Sequence, residues 1–170
     1  MLNSEELQIR FLELYEPIHT QFYRYCEVMV KNNEMAKDLQ SDVILAAYES
    51  FGKLRNPESF KFYLFGIARN IFRKNLKRNK VQTKYEMSKH EQQHDDSASM
   101  EMNVDIRLLY DKLDMLPVKQ KEALILFEIS GFSLKEVKDI QGGSLSGVKL
   151  RLKRGRQKLK ELLSDPILEL

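Results

Sequence analysis

A chain of 170 residues that is 42% hydrophobic and 31% charged carries enough apolar surface for one domain or two small ones, which excludes a disordered or low-complexity protein. Four Pro and seven Gly among many Leu, Lys, Glu and Met point to an all-α fold, and no strand-rich segment competes. The net charge of +3 says little as a sum, but the charges fall in blocks: Lys61 to Lys84 holds eight Lys or Arg and no acid, Leu145 to Lys160 holds seven and no acid, and the first 58 residues hold ten acids against six bases.

In chain order, "SEEL" at Ser4 reads as a capping box opening a helix with Leu7, Phe11 and Leu14 inward. A second helix begins near Pro17 and places Phe22, Cys26, Met29 and Val30 on one face. The lone Cys26 sits in this helix interior and reads as a buried structural thiol in a reducing compartment. A third helix is expected from about Asn33 to Phe51, with Met35, Leu39, Ile44, Ala47 and Tyr48 as its apolar side and Gly52 as its stop. The fourth follows "RNPES": Phe60, Tyr63, Leu64, Ile67, Ala68 and Ile71 form a stripe, and Lys61, Arg69, Arg73, Lys74, Lys77 and Arg78 lie elsewhere on it. Its rings Phe60, Phe62, Tyr63, Phe65 and Phe72 are candidates both for core packing and for stacking on unpaired bases.

Residues 83–103 are polar and lack large aliphatic side chains, so they read as a flexible linker between a first unit at 1–82 and a second at 104–165. His90 and His94 stand beside Asp95 in that stretch, and with no Cys nearby and His19 far away they read as a solvated face; no metal or cofactor is expected. In the second unit, Ile106, Leu109, Leu113 and Leu116 line a helix ended by Pro117, and "VKQKEALILFEIS" supplies core residues up to Gly131. Then come a short helix capped by Ser133 with Glu136 three residues on, the turn "GGS", and the basic helix "SLSGVKLRLKRGRQKLKE".

Short helix, Gly-containing turn and basic helix make a helix-turn-helix, whose second helix enters the major groove. Leu134, Val137 and Ile140 face Val148, Leu152 and Leu159, which leaves Lys149, Arg151, Lys153, Arg154, Arg156 and Lys158 outward. Ser144 and Ser146 stand at the helix N-terminus, where backbone N–H groups can meet a phosphate. An ordinary solvated helix mixes charge signs through i,i+4 pairs, and this one does not.

Two motifs make the chain resemble the extracytoplasmic-function group of bacterial RNA polymerase sigma factors, over nearly its whole length. "FKFYLFGIARNIFRKNLKR" is similar to that group's F-x-x-W-L-x-x-I-A-R-N signature, with Tyr63 in place of Trp, and "LPVKQKEALILFEISGFSLKEV" followed by "SGVKLRLKRGRQKL" is similar to its L-P-x-x-x-R-E segment and G-T-V-K-S-R-L-x-R-A-R-x-x-L helix. The resemblance implies two small helical bundles, a four-helix sigma-2 domain and a helix-turn-helix sigma-4 domain, joined by the linker. It implies core RNA polymerase and promoter DNA as partners, an anti-sigma factor as inhibitor, and no catalysis of its own.

By carry-over, Asp38, Ser41 and Asp42 on "AKDLQSDVILAAY" would dock on polymerase. Arg55 and Asn56 in the loop, with Lys61, Tyr63, Arg69, Asn70, Arg73, Lys74, Lys77 and Arg78, would meet the minus-ten element. Three departures stand out: Ser41-Asp42 for Gln-Glu, Lys138 for a small Ala, and Gly143 for an aliphatic anchor. The alternative is a stand-alone helix-turn-helix regulator that never touches polymerase, which leaves the aromatic-basic helix unexplained. An enzyme is not expected, because there is no Gly-rich phosphate loop, metal-ligand cluster or triad, and Asp95 and Asp96 lie in the linker. The start "MLNSEELQIR" is acidic and polar and no apolar run approaches the ~20 residues of a bilayer span, so a cytoplasmic chain without membrane insertion is expected.

Overall fold

The structure is a computed structural model, and it describes residues 3–86 and 104–164. Among these residues all regular structure is helical. The first unit contains α1 (Ser4–Tyr15), α2 (His19–Val30), α3 (Asn33–Ser50) and α4 (Phe60–Glu86); the second contains α5 (Val104–Asp114), α6 (Val118–Leu124), α7 (Leu134–Gln141) and α8 (Leu145–Leu163). The fourth helix continues to Glu86, past the boundary expected at residue 82. Residues 87–103, with His90, His94, Asp95 and Asp96, lie outside the described residues.

Local chemistry sets most helix ends. The cap of α1 is Asn3 rather than Ser4: Asn3 Oδ1 accepts from the Glu6 N–H at 2.8 Å while Glu6 accepts from the Asn3 N–H, a reciprocal box one residue earlier than expected. Pro17 lies in a 3₁₀ turn, Glu16–Ile18, before α2. Asn32 caps α3, and a second 3₁₀ turn, Phe51–Lys53, follows it through Gly52. Helix α7 opens on the expected Ser133–Glu136 capping box.

Apolar faces follow the expected period with two shifts. Helix α3 buries Ala36, Leu39, Val43 and Ala47, and Met35 is 48% exposed because the short Ala36 faces inward instead. Helix α5 buries Leu113 and leaves Ile106 exposed near its N-terminus. Cys26 is fully buried as a free thiol, and burial, with Glu27 beside it, pushes its pKa up to about 12. Phe11 forms the hub of the first core, meeting Tyr48, Phe51 and Phe60 edge-on with centroids 5.3 to 5.5 Å apart.

The two units pack into one continuous core, with the second unit seated on α2 and α4. The contact is built by a feature the pattern of "ILFEIS" does not show. After α6 the chain widens into a π turn, Ile125–Ile129, closed by the Ser130 N–H on Ile125 O at 2.8 Å. Gly131 then turns with φ 75°, and Phe132, 2% exposed, meets Phe65 of α4 edge-on at 4.8 Å. Gln21 of α2 donates to Ser130 O, and the Lys61 ammonium lies 4.5 Å from the Phe132 ring centroid.

Candidate nucleic-acid interface

Helix α8 buries Val148, Leu152 and Gly155 against the rest of the second unit, with Leu159 half-buried. Gly155 lets the helix approach α6 closely: a Cβ there would lie 3.1 Å from Leu124 Cδ1 and 3.4 Å from Gln120 Cβ, so even a methyl group needs the Leu124 side chain to shift by a few tenths of an ångström. The opposite side presents Lys149, Lys153, Arg154, Arg156 and Lys158 exposed, with Ser144 and Ser146 exposed at the N-terminal end. Ser144 caps the helix by accepting from the Gly147 N–H at 3.1 Å.

Two residues of this set also serve the fold. Arg151 is half-buried; it donates to Gln141 Oε1 at 2.7 Å and to Gly142 O at 3.3 Å, so its guanidinium spans the turn between α7 and α8. That turn is made by Gly142, with φ 79° and ψ 179°, and Gly143, with φ 86°. The first pair of angles lies in a region open essentially to glycine alone. Gly143, where the resembling family has an aliphatic side chain, continues the turn at φ 86°, and Arg151 braces it through Gln141 and Gly142. Arg156 donates to Glu128 from both Nε and Nη2, a pair about half exposed. Lys138 is only partly buried, so its stem reaches the rim and the ammonium is not trapped in the packing.

In the first unit the loop residues Arg55 and Asn56 are exposed, and Asn56 caps the short turn Pro57–Ser59 by accepting from the Glu58 N–H at 3.0 Å. Along α4, Asn70, Lys74, Lys77 and Arg78 are exposed, and Lys61, Tyr63, Arg69 and Arg73 are half-buried. Of the ring candidates, Phe60, Phe65 and Phe72 are in the core and have no face for a base; Phe62 and Tyr63 are partly accessible. Tyr63 donates its hydroxyl proton to Ala47 O at 3.1 Å, which fixes the ring against α3.

Arg69 and Arg73 converge on Glu122 of α6, the Glu that ends the segment similar to L-P-x-x-x-R-E. Glu122 is 0% exposed; its Oε1 accepts from Arg69 Nε at 2.5 Å and from Gln141 Nε2 at 3.2 Å, and Arg73 Nε lies 3.9 Å from its Oε2. Among the described residues Glu122 Oε2, which Arg73 reaches as an ion pair only, and the buried Tyr25 hydroxyl have no hydrogen-bond partner. Burial, with the Glu122 carboxylate nearby, raises the Tyr25 pKa well above its ordinary value.

Asp38, Ser41 and Asp42 are exposed on α3. Asp38 and Asp42 line a groove of about 620 Å³ that α4 and α6 complete with Arg78 and Lys121, and the floor carries Leu39 and Phe72. At its second-unit side, Lys121 Nζ donates to Met29 O at 3.0 Å and to Asp114 at 2.5 Å, while Lys31 pairs with Asp111 at 2.8 Å and with Asp114 at 2.7 Å. Among the described residues no helix is long and apolar enough to cross a membrane.

Comparison with known proteins agrees with this architecture. The family described as Sigma-70 region 2 matches residues 14–81, and Sigma-70, region 4 matches residues 106–159. The RNA polymerase sigma factor CarQ of Myxococcus xanthus is 30% identical over 83% of this chain and 82% of its own length. The ECF RNA polymerase sigma factor EcfG of Rhodopseudomonas palustris is 28% identical over 78% of this chain and 73% of its own. In fold, the chain is similar to the sigma factor RpoE of Bartonella quintana, solved in complex with the anti-sigma factor NepR, with a TM-score of 0.74 at 23% identity over 91% of this chain and 99% of that one. A match to region 2 from the end of α1 through most of α4 overturns the alternative of a stand-alone helix-turn-helix regulator, which has no use for that unit. With both regions present in order and relatives aligned over most of their length, the chain belongs to the extracytoplasmic-function group of sigma-70 family sigma factors, the subunits that give RNA polymerase its promoter specificity.

Proposed function

We propose that the two basic helices divide promoter recognition between them: α4 and the loop at Arg55 and Asn56 engage the minus-ten element, and α8 reads the minus-thirty-five element. The observation that carries this reading is the one-sided charge of α8, with Lys149, Lys153, Arg154, Arg156 and Lys158 all exposed opposite a buried Val148–Leu152–Gly155 seam. Phosphate contacts from such a row set register, and base-edge contacts from the same helix set specificity. On α4 the accessible rings for an unpaired base are Phe62 and Tyr63, and the exposed Asn70 and Lys74 follow Tyr63 along the same face. Capture of an unstacked base would offset the few kcal/mol of unpairing, so melting needs no catalytic group.

Asp38 and Asp42 supply the acidic dock for core polymerase, with Ser41 between them on the same exposed surface. The protein would act in the cytoplasm, where polymerase is, and would be held inactive by an anti-sigma factor, as RpoE is seen bound to NepR. Run-off transcription with purified core polymerase and a library of random promoter fragments tests the reading. Specific start sites are expected, and Asp38→Arg should abolish them while leaving circular dichroism unchanged; absence of any specific transcript from the unmodified chain would sink it.

A further inference from the structure

Resting on the promoter reading above, we propose that Leu150 is a specificity-determining residue of the recognition helix: it packs on the C5-methyl group of a thymine in the minus-thirty-five element and so commits one position of that element to an A·T pair. Leu150 stands two residues after Val148 and two before Leu152, about 160° from each on a helix of 3.6 residues per turn, so it points away from the seam that holds α8 in place. It is 44% exposed and takes no part in the apolar core. It also lies in the second turn of α8, near the end by which a recognition helix meets base edges.

The neighbours of Leu150 decide what can cover it. One turn away on the same face, Ser146, Lys153 and Arg154 are exposed and polar, and Gly147 adds no side chain. Leu150 is thus a single apolar island in a positive row. A docking face for another protein needs a contiguous apolar patch, which these neighbours do not supply. A polyanion held by Lys149, Lys153 and Arg154 brings major-groove edges over Leu150, and the distinctive apolar group of that groove is the thymine methyl. The other base edges present donors or acceptors there, which an aliphatic side chain strips of water without replacing the bond. The resembling group's G-T-V-K-S-R-L pattern has Ser at this position, whose hydroxyl serves donors and acceptors alike; Leu150 removes that tolerance.

The test uses the full chain bound to core polymerase and a promoter recovered from the random-fragment selection. Each thymine of the minus-thirty-five element is replaced in turn by deoxyuridine, which lacks only the C5-methyl group, and competitive run-off transcription compares the two templates. At one thymine the unmodified chain should prefer the methylated base by about fourfold, the worth of one buried methyl group. Leu150→Ser and Leu150→Ala should bring that ratio to about one, whereas a leucine with a structural role alone would weaken both templates equally. Lys149→Ala, which removes a charge from the row, should lower transcription from both templates and keep the ratio. An element without thymine, a scan with no response in the unmodified chain, or a ratio that persists in both Leu150 variants overturns the proposal. A selection that yields no specific start site instead removes the promoter reading, and the proposal with it.

Discussion

The Cys26 thiol shows how burial decides a residue's chemistry. Its pKa moves from the ordinary 9.0 to about 12 because the thiolate would lie in the apolar centre of the first unit beside Glu27. It should therefore resist iodoacetamide at pH 8 in the native protein and react at the rate of an unfolded thiol in urea; fast native labelling would show that the site opens. A folded-state pKa above the unfolded one favours the fold up to about pH 9 and withdraws that support as pH rises toward 12. Gly155 is a second residue fixed by its surroundings. Gly155→Val would push into Leu124 and Gln120, and overpacking of this kind should destabilise the second unit by about 1–3 kcal/mol, read from the urea midpoint.

At the scale of elements, the helix-turn-helix depends on its turn as much as on its helices. Gly142 holds backbone angles that a side chain strains, so Gly142→Ala should cost about 1–3 kcal/mol and weaken minus-thirty-five binding together with stability. Arg151→Lys keeps the charge but cannot reach both Gln141 Oε1 and Gly142 O with a planar fork. It should loosen the turn, measured as faster amide exchange at residues 142–144, with the overall helix content retained. The capping box of α7, the Pro17 entry to α2 and the stripe of α4 are all legible in the sequence, since each is a contact within a few residues. The inward choice of Ala36 over Met35 is not, because a helical period marks a stripe but leaves its centre uncertain by one residue, and packing against α2 and α4 fixes it.

For the whole molecule, closure of the two units is the property that solution conditions should move. Burial acts against the charge of Lys31, but its bonds to Asp111 and Asp114 outweigh that and raise its pKa. The Lys31–Asp111–Asp114 cluster is therefore complete below the ordinary lysine range and is lost as pH climbs through the raised value, in the same direction as the Cys26 effect. Unfolding midpoints followed from pH 8 to pH 11 should fall steadily, and small-angle scattering should show expansion before global unfolding. Promoter affinity of the polymerase complex should drop by orders of magnitude between about 50 and 200 mM salt if six or more phosphates are contacted.

Helical class, the order of the two units and the basic faces of α4 and α8 are written in composition, period and charge, because these depend on neighbours three or four residues apart. The pairing of Glu122 with Arg69, the brace of Arg151 and the π turn that delivers Phe132 onto Phe65 join residues far apart in the chain or depend on a single hydrogen bond displaced by one residue. No local pattern encodes those contacts, and they arise only once the two units share one core.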